Sequence, residues 1–273
     1  MMRDFLKKWP VIFTLFCGVV PQQAAAAASP WQETDGARLR IVAEPARPSA
    51  TDLRGMLQIE LEPGWKTYWR EPGAAGIPPQ ISLGDDAATA VTIHYPAPEW
   101  HDDPYGSWAG YAQPVSLPLT FATSADTWPG TLKASVFLGI CRDVCVPVSM
   151  DFDVPIDEKK PNAMQTLLLD TAFSALPADD SDRLSIANAA WTSDGVLEIS
   201  LKHAASDTDP QLFVSAGSNR PFKKPVLVSD DGETALFRAE PVFDPAKAGE
   251  MTVVLTARHG VDAVERFFTV SPQ

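Results

Sequence analysis

Two cysteines lie four positions apart in a segment rich in β-branched residues, and their thiols could form a disulfide or exchange one with a partner. The segment reads VFLGICRDVCVPV over residues 136–148, with the thiols at Cys141 and Cys145. On one continuous strand their Cα atoms would lie roughly 13 Å apart, at about 3.3 Å per residue, whereas a disulfide requires about 4.4 to 6.8 Å. The chain must therefore fold back between them. The β-branched neighbours and Pro147 favour a hairpin with residues 142–144 at its tip over a helical turn.

The third cysteine, Cys17, belongs to an N-terminal segment that has the features of a secretory signal peptide. A basic start within residues 1–10 precedes an apolar run over residues 11–20 and a stretch of alanines that ends at Ala28. This order predicts cleavage near Ala28, and ten apolar residues are too few for a transmembrane helix, which needs about 20. We therefore expect residues 1–28 to be removed. The mature chain would function in the periplasm of a Gram-negative bacterium, where disulfides persist.

The rest of the chain is strongly acidic. The full sequence has 22 Lys and Arg against 35 Asp and Glu, and removal of residues 1–28 leaves 19 against 34, hence a formal charge of −15. Such a charge repels nucleic acid and anionic lipid. We therefore expect no nucleic-acid partner and no direct membrane insertion. The sequence contains no glycine-rich phosphate loop, haem-attachment motif or serine-nucleophile elbow, so no cofactor is predicted.

Short alternating segments separated by turns predict an all-β protein. The clearest case is 53–61, where Leu53, Leu57 and Ile59 alternate with residues that are polar except for Met56. The other predicted strands of the first half are 38–43, 65–69, 80–83, 90–95, 115–121, 131–138 and 146–154. Those of the second half are 184–190, 196–202, 211–216, 225–229, 234–239, 251–257 and 264–270. The 25 prolines and 16 glycines of the chain fit many short strands with turns between them.

The periodicity changes between residues 157 and 183, where apolar side chains recur every three or four positions. This spacing predicts a helix with an apolar stripe that includes Met164, Leu167 and Ala172, and Pro177 would end it. The predicted architecture is therefore two immunoglobulin-like β-sandwiches joined by a short helix-containing linker. The predicted boundaries are 31–156 for the first sandwich, 157–182 for the linker and 183–273 for the second sandwich.

Three blocks of the first half resemble the periplasmic N-terminal domain of the disulfide reductase DsbD, and particularly its ScsB-type relatives. They are GWKTYWR over residues 64–70, WHDDPYG over residues 100–106 with a later Tyr111, and the cysteine hairpin with Pro147. The resemblance covers about residues 35–155, and the helix and second sandwich are similar to the extra region of ScsB-type proteins. It implies an immunoglobulin-like domain that takes electrons from a membrane-embedded reductase and passes them to periplasmic thioredoxin-like proteins.

The same resemblance implies roles for individual residues. Cys141 and Cys145 would be the redox pair, and Tyr68 and Trp69 match an aromatic strand beside it. Five residues match a segment that caps the disulfide in that family, and we refer to them as the cap: Asp102, Asp103, Pro104, Tyr105 and Gly106. The cap is expected to be a loop that opens when a partner arrives.

This chain departs from the DsbD pattern in two respects. Only three residues separate the cysteines, and Val144 stands where DsbD has an aromatic residue. The chain also stops at Gln273 without a membrane domain. Either a separate membrane protein would donate its electrons, and the chain would act as one component of a protein-disulfide reductase, or the chain would have left the electron relay altogether.

Two other functions compete for the same cysteines. The disulfide could be a structural staple in a β-sandwich that only binds a protein ligand, although a loop of about five residues removes only roughly 2 kcal/mol of unfolded-state entropy. CxxxC followed by proline also resembles the copper site of Sco-type chaperones, where two thiolates and a distant histidine, here His203 or His259, would bind Cu(I). Those chaperones have a helix after the motif, whereas residues 146–154 alternate as a strand. Thiol–disulfide exchange without a metal is therefore the predicted function.

Overall fold

A computed structural model describes residues 28–47, 49–73, 76–84, 88–104, 106–124, 127–157, 162–217 and 219–272. The predicted signal segment, apart from Ala28, and Tyr105 of the cap lie outside the described residues. Within the part of the chain that is described, no helix is long and apolar enough to cross a membrane.

The first half of the chain is built from antiparallel strands. Their bounds are β1 Gln32–Thr34, β2 Ala37–Ala43, β3 Asp52–Leu61, β4 Thr67–Tyr68, β5 Gln80–Leu83, β6 Ala88–Ile93, β7 Glu99–Asp103, β8 Gly106–Tyr111, β9 Val115–Thr123, β10 Thr131–Cys141 and β11 Cys145–Pro155. One sheet has the order β1-β2-β3-β9-β6 and a second has the order β11-β10-β5. Alternate side chains of both sheets, such as Leu57 and Leu117 of the first and Val136 and Phe152 of the second, meet in one core. This gives the sandwich that the period-two pattern predicts.

A third, smaller sheet with the order β4-β8-β7 lies beside the cysteine hairpin, and we refer to it as the site sheet. Its central strand β8 approaches β4 closely because Gly110 has no side chain. A Cβ at Gly110 would clash with the backbone carbonyl of Thr67. Glycine at this position therefore permits the pairing of Tyr68 with Gly110.

The second half begins with a helix and continues as a second sandwich. Its elements are α1 Ala163–Ser174, β12 Leu184–Trp191, β13 Leu197–His203, β14 Gln211–Ser215, β15 Val226–Asp230, β16 Thr234–Ala239, α2 Pro245–Ala248, β17 Met251–His259 and β18 Asp262–Val270. The strands form two sheets with the orders β12-β13-β16-β15 and β14-β17-β18. They enclose a core that includes Ile199, Phe237 and Leu255. The structure confirms the all-β, immunoglobulin-like fold class.

Helix α1 forms where the periodicity predicts it, but it buries only part of the predicted stripe. Asn162 caps its start by accepting a hydrogen bond from the backbone N–H of Met164 at 2.9 Å. Leu169 and Ala172 pack against the first sandwich, whereas Met164 and Leu167 of the predicted stripe are exposed. The prediction was wrong for these two residues because the run Leu167, Leu168, Leu169 permits more than one apolar stripe, and packing on the sheet selects one of them.

Candidate functional site

The cysteine pair closes the end of the longest hairpin among the described strands. Strands β10 and β11 pair in register from Thr131 opposite Pro155 to Cys141 opposite Cys145, which leaves residues 142–144 as the tip. The two cysteines form a disulfide with a Cα–Cα distance of 4.1 Å. The hairpin and its tip are those predicted from the spacing. Cys141 is 1% exposed and Cys145 is half-buried, so Cys145 is the more accessible of the two.

The backbone of the aromatic segment holds the hairpin end in place. Lys66 and Cys141 exchange two backbone hydrogen bonds, Lys66 N to Cys141 O at 2.8 Å and Cys141 N to Lys66 O at 2.9 Å. The Thr67 hydroxyl donates to the carbonyl of Gly139 at 3.0 Å. These bonds attach the site sheet to β10 independently of the disulfide.

The Tyr68 side chain reaches the disulfide directly. Its hydroxyl lies 3.0 Å from Cys145 Sγ, and its ring packs edge-on against Trp108 at 5.9 Å between centroids. Burial, and secondarily the nearby Asp103 carboxylate, raise the pKa of Tyr68 above its ordinary value. The phenol therefore keeps its proton at neutral pH and can donate to a sulfur that carries negative charge.

A cation and a carboxylate flank the same sulfurs. Lys66 Nζ lies 2.6 Å from Asp103 Oδ2, and both side chains are largely buried. The ammonium group also lies 4.4 Å from the centroid of the Trp108 ring. The positive charge of Lys66 is therefore held near the cysteine pair by two contacts.

These groups surround a cavity of about 390 Å³ beside the disulfide. The site sheet and the segment before it contribute Lys66, Tyr68, Asp103, Gly106, Ser107 and Trp108, and the hairpin contributes residues 141–145. The cavity is mainly apolar where Tyr68 and Trp108 line it, and its charged groups lie at the Lys66–Asp103 pair and at the tip. An incoming group can thus approach Cys145 without unfolding the sandwich.

The structure corrects the prediction that the cap is a loop. Strands β7 and β8 form a hairpin, with Trp100 opposite Ala109 and Asp103 opposite Gly106. Gly106 has φ 126°, a conformation that favours glycine. In the sequence, Pro104 interrupts the alternating pattern, so the two short strands on either side of it are hard to recognise. In the structure these strands pair as far as Asp103 opposite Gly106.

The described members of the cap lie in different places. Asp103 and Gly106 line the cysteine cavity, and Pro104 is exposed at the turn. Asp102 points elsewhere, because its carboxylate accepts hydrogen bonds from Ser107 and from Lys224 of the second half. These bonds lower the pKa of Asp102 below its ordinary value, the one from Ser107 most.

Trp69 does not lie on the disulfide side of its strand. Successive strand residues point to opposite faces, so Tyr68 faces Cys145 while Trp69 is buried against Phe213 of β14 at 5.7 Å between ring centroids. Lys66 and Trp108 were missing from the predicted site. A period-two count from Tyr68 would have found Lys66, whereas Trp108 requires knowledge of the β7–β8 pairing.

The histidines proposed for copper lie away from the cysteine pair. His203 and His259 contact each other in the second sandwich, with ring centroids 4.5 Å apart, and His203 Nε2 lies 3.0 Å from Asp230 Oδ1. Among the described residues, no three His, Cys, Asp or Glu side chains are grouped so as to hold a metal ion. The copper hypothesis therefore lacks its histidine ligand at the cysteines.

Comparison with known proteins finds a family model that matches most of the first half and a solved structure that shares the fold. Residues 39–155 match the family described as "Thiol:disulfide interchange protein DsbD, N-terminal". The crystal structure of the N-terminal periplasmic domain of ScsB from Proteus mirabilis superposes with a TM-score of 0.75, over 91% of this chain and 100% of that one, at 21% identity. At that identity the likeness shows the fold alone. A comparison with curated proteins finds no match.

Proposed function

Residues 39–155 form a domain like the N-terminal domain of DsbD and ScsB, and on this premise we propose that the chain exchanges electrons with protein partners through Cys141 and Cys145. The observation that carries the proposal is the 3.0 Å contact between the Tyr68 hydroxyl and Cys145 Sγ, at the edge of a cavity that leads to the disulfide. A disulfide that served only as a staple would need neither a proton donor nor an approach path.

Cys145 is the thiol that meets the partner. It is the more exposed of the two cysteines, and Tyr68 can donate to its thiolate, which is the nucleophilic form. Lys66 and Asp103 line the same cavity as an ion pair whose charges largely cancel, so the Tyr68 hydroxyl is the group that stabilises the thiolate. Cys141 is buried and serves as the resolving thiol.

The exchange proceeds in two steps that balance. The Cys145 thiolate attacks one sulfur of a partner disulfide, so that a mixed disulfide forms while the partner's other sulfur leaves as a thiolate and takes up a proton. Cys141 then loses its proton and attacks Cys145 Sγ, which closes the Cys141–Cys145 bond and releases the partner's second thiol. The partner gains two electrons and the pair loses two.

We propose a membrane-embedded disulfide reductase as the electron donor and thioredoxin-like proteins of the periplasm as the acceptors. The donor would restore the thiols by the reverse exchange. The exchange would take place in the periplasm. The predicted signal segment supports this location, as does the periplasmic origin of the ScsB domain of similar fold. In this proposal the cap limits access to the thiols between encounters, since Asp103 and Gly106 line the cavity in front of them.

Trapping of a mixed disulfide tests this function. Cys141→Ser keeps the attacking thiol and removes the resolving one, so it should accumulate a mixed disulfide with an oxidised thioredoxin-like protein, visible on non-reducing gels. Cys145→Ser should trap much less, because its remaining thiol is buried. The double variant Cys141→Ser with Cys145→Ser is the control. Absence of any trapped species from both single variants would contradict the proposal.

A further inference from the structure

The second sandwich contacts the β7–β8 hairpin through Trp100 of β7. The Trp100 backbone N–H donates to Gln211 Oε1 at 3.1 Å, and its indole Nε1–H donates to the carbonyl of Leu212 at 2.9 Å. Its ring stacks on Phe213 with centroids 5.3 Å apart and planes inclined by 8°. Three consecutive residues at the start of β14 thus contact one residue of the strand that leads into the cap.

Phe213 belongs by sequence to the second sandwich but packs in the core of the first. Its side chain is 0% exposed and is part of the first sandwich's apolar cluster, where it contacts both Trp69 and Trp100. Trp69 follows Tyr68, whose hydroxyl reaches Cys145, and Trp100 lies three residues before Asp103. One aromatic ring therefore contacts the segments at both edges of the site sheet.

Polar contacts join the two halves at the same edges. Beyond β4, Arg70 pairs with Glu265 at 2.8 Å and Glu71 accepts a hydrogen bond from Ser215 at 3.3 Å. Beyond Trp100, Asp102 pairs with Lys224 at 3.0 Å. The Asp102–Lys224 pair is exposed and contributes little, whereas the Trp100–Phe213 stack and its part-buried indole N–H bond contribute more, because Phe213 is fully buried and the aromatic contact adds to that burial.

We infer that the second sandwich positions β7, and with it Asp103, at the cysteine cavity, with Phe213 and Trp100 as the anchor. The inference rests on the proposed function, in which access to the reduced thiols matters, and it assigns a role to the half of the chain that carries no cysteine. Phe213 touches no sulfur and acts through β7, so it is a positioning residue.

The anchor limits how far the cap can move. Strand β7 pairs only with β8 in the site sheet, so its outer edge is held by the contacts with β14. Movement of Asp103 away from the cavity requires β7 to bend beyond Trp100, and movement of the whole hairpin requires the stack on Phe213 to break. Weakening of the anchor therefore increases the fraction of molecules in which Asp103 has moved away and the cavity is wider.

Alkylation of the reduced protein tests this role without a partner. Phe213→Leu keeps an apolar side chain but removes the stacking ring, and we expect iodoacetamide to modify the reduced cysteines roughly tenfold faster, a change of about 1.4 kcal/mol in the opening equilibrium. Trp100→Phe keeps a stacking ring and removes the indole N–H bond, so its rate should lie between those of wild type and Phe213→Leu. The matched control is Phe237→Leu, a buried substitution within the core of the second sandwich.

All four proteins are compared at a temperature where thermal unfolding shows each to be folded. Faster alkylation in Phe213→Leu and Trp100→Phe but not in Phe237→Leu supports the anchor. Equal rates in Phe213→Leu and Phe237→Leu would overturn it, because a purely structural role affects both alike. If Phe213→Leu does not fold, a wild-type rate in Trp100→Phe overturns it. Because the reagent needs no partner, failure of mixed-disulfide trapping leaves this result unchanged, and the two proposals can fail separately.

Discussion

Each sandwich contains a long hairpin, and the ends of these two hairpins differ in what packs on them. The β10–β11 hairpin ends in the pair Cys141 and Cys145, and the β17–β18 hairpin ends in the pair His259 and Asp262. Both tips expose a valine: Val144 is 75% exposed and Val261 is 96% exposed. A hairpin end with an exposed tip is therefore common to both halves and does not by itself make a reactive site.

The difference lies in the third element at each end. The site sheet supplies backbone hydrogen bonds, the Tyr68 hydroxyl and the Trp108 ring to the cysteine end. At the other end, His259 contacts His203 and its Nε2 lies 2.8 Å from the carbonyl oxygen of Thr208. The comparison indicates that the site sheet, rather than the hairpin, turns a strand end into a candidate redox centre.

The largest effect is expected from removal of the disulfide, which would make the two hairpin ends alike in having no covalent link. Because the β17–β18 end is folded without a covalent link, Cys141→Ser with Cys145→Ser should leave the protein folded. The chain-entropy estimate for a loop of about five residues is roughly 2 kcal/mol, which for a chain of this size lowers the Tm by about 4 to 8 °C. Differential scanning calorimetry measures this change. Loss of cooperative unfolding would instead support a structural staple.

A second, smaller effect should follow from removal of the Tyr68 hydroxyl. A hydrogen bond to a charged group contributes about 1.5 to 3 kcal/mol, but a less stabilised thiolate is also more nucleophilic, so alkylation of Cys145 in a Cys141→Ser background should slow by about fivefold in Tyr68→Phe. Because burial raises the pKa of Tyr68, the phenol keeps its proton while the thiol titrates, so the difference should be largest below the pKa of the thiol and should shrink once the thiol is ionised in both variants.

Tyr111→Phe is the matched control for Tyr68→Phe. It removes a hydroxyl from the same sheet, one that donates to the carbonyl of Pro96 at 2.7 Å and contacts no sulfur. Its alkylation rate should equal that of the Cys141→Ser parent. Equal slowing in both variants would assign the effect to the sheet's stability and not to the hydrogen bond at Cys145.

The smallest effect should distinguish the two exposed valines. Val144→Ser and Val261→Ser should each change the free energy of unfolding by less than about 0.5 kcal/mol, because both side chains are at the surface. Val144 lines the cysteine cavity. Val144→Ser should therefore remove an apolar contact with a thioredoxin-like partner and slow exchange with it by about threefold. Val261→Ser should leave that rate unchanged. Equal rates for the two variants would remove Val144 from the docking surface.

The cysteine hairpin could be predicted because the limits on it are local. Three residues separate Cys141 from Cys145, and strand geometry shows that the chain must reverse between them if they are to form a disulfide. Strands such as β5 and β16 were predicted at their observed bounds for the same reason, since period-two alternation is a property of neighbouring residues. The cap was predicted as a loop from the family resemblance, and the strand that pairs with β7 could not be identified from the sequence.

The buried face of α1 and the anchor at Trp100 show a different kind of limit. Leu167 and Leu169 are equally apolar, and only the surface of the first sandwich determines which of them is buried. From the sequence alone, Trp100 could lie in a core or in an aromatic cluster at the surface. Its stack on Phe213, 113 positions further along the chain, depends on how the two sandwiches pack.

The all-β class, the helix between the two halves and the reversal that brings the cysteines together can be predicted from the sequence, because each follows from local periodicity or covalent geometry. Long-range packing, in contrast, places Tyr68 and not Trp69 at the sulfur, completes the cavity with Lys66 and Trp108, and inserts Phe213 into the first core. These outcomes depend on contacts between distant segments. Such contacts form only after the sheets have packed, and the free energy that selects them is summed over both cores.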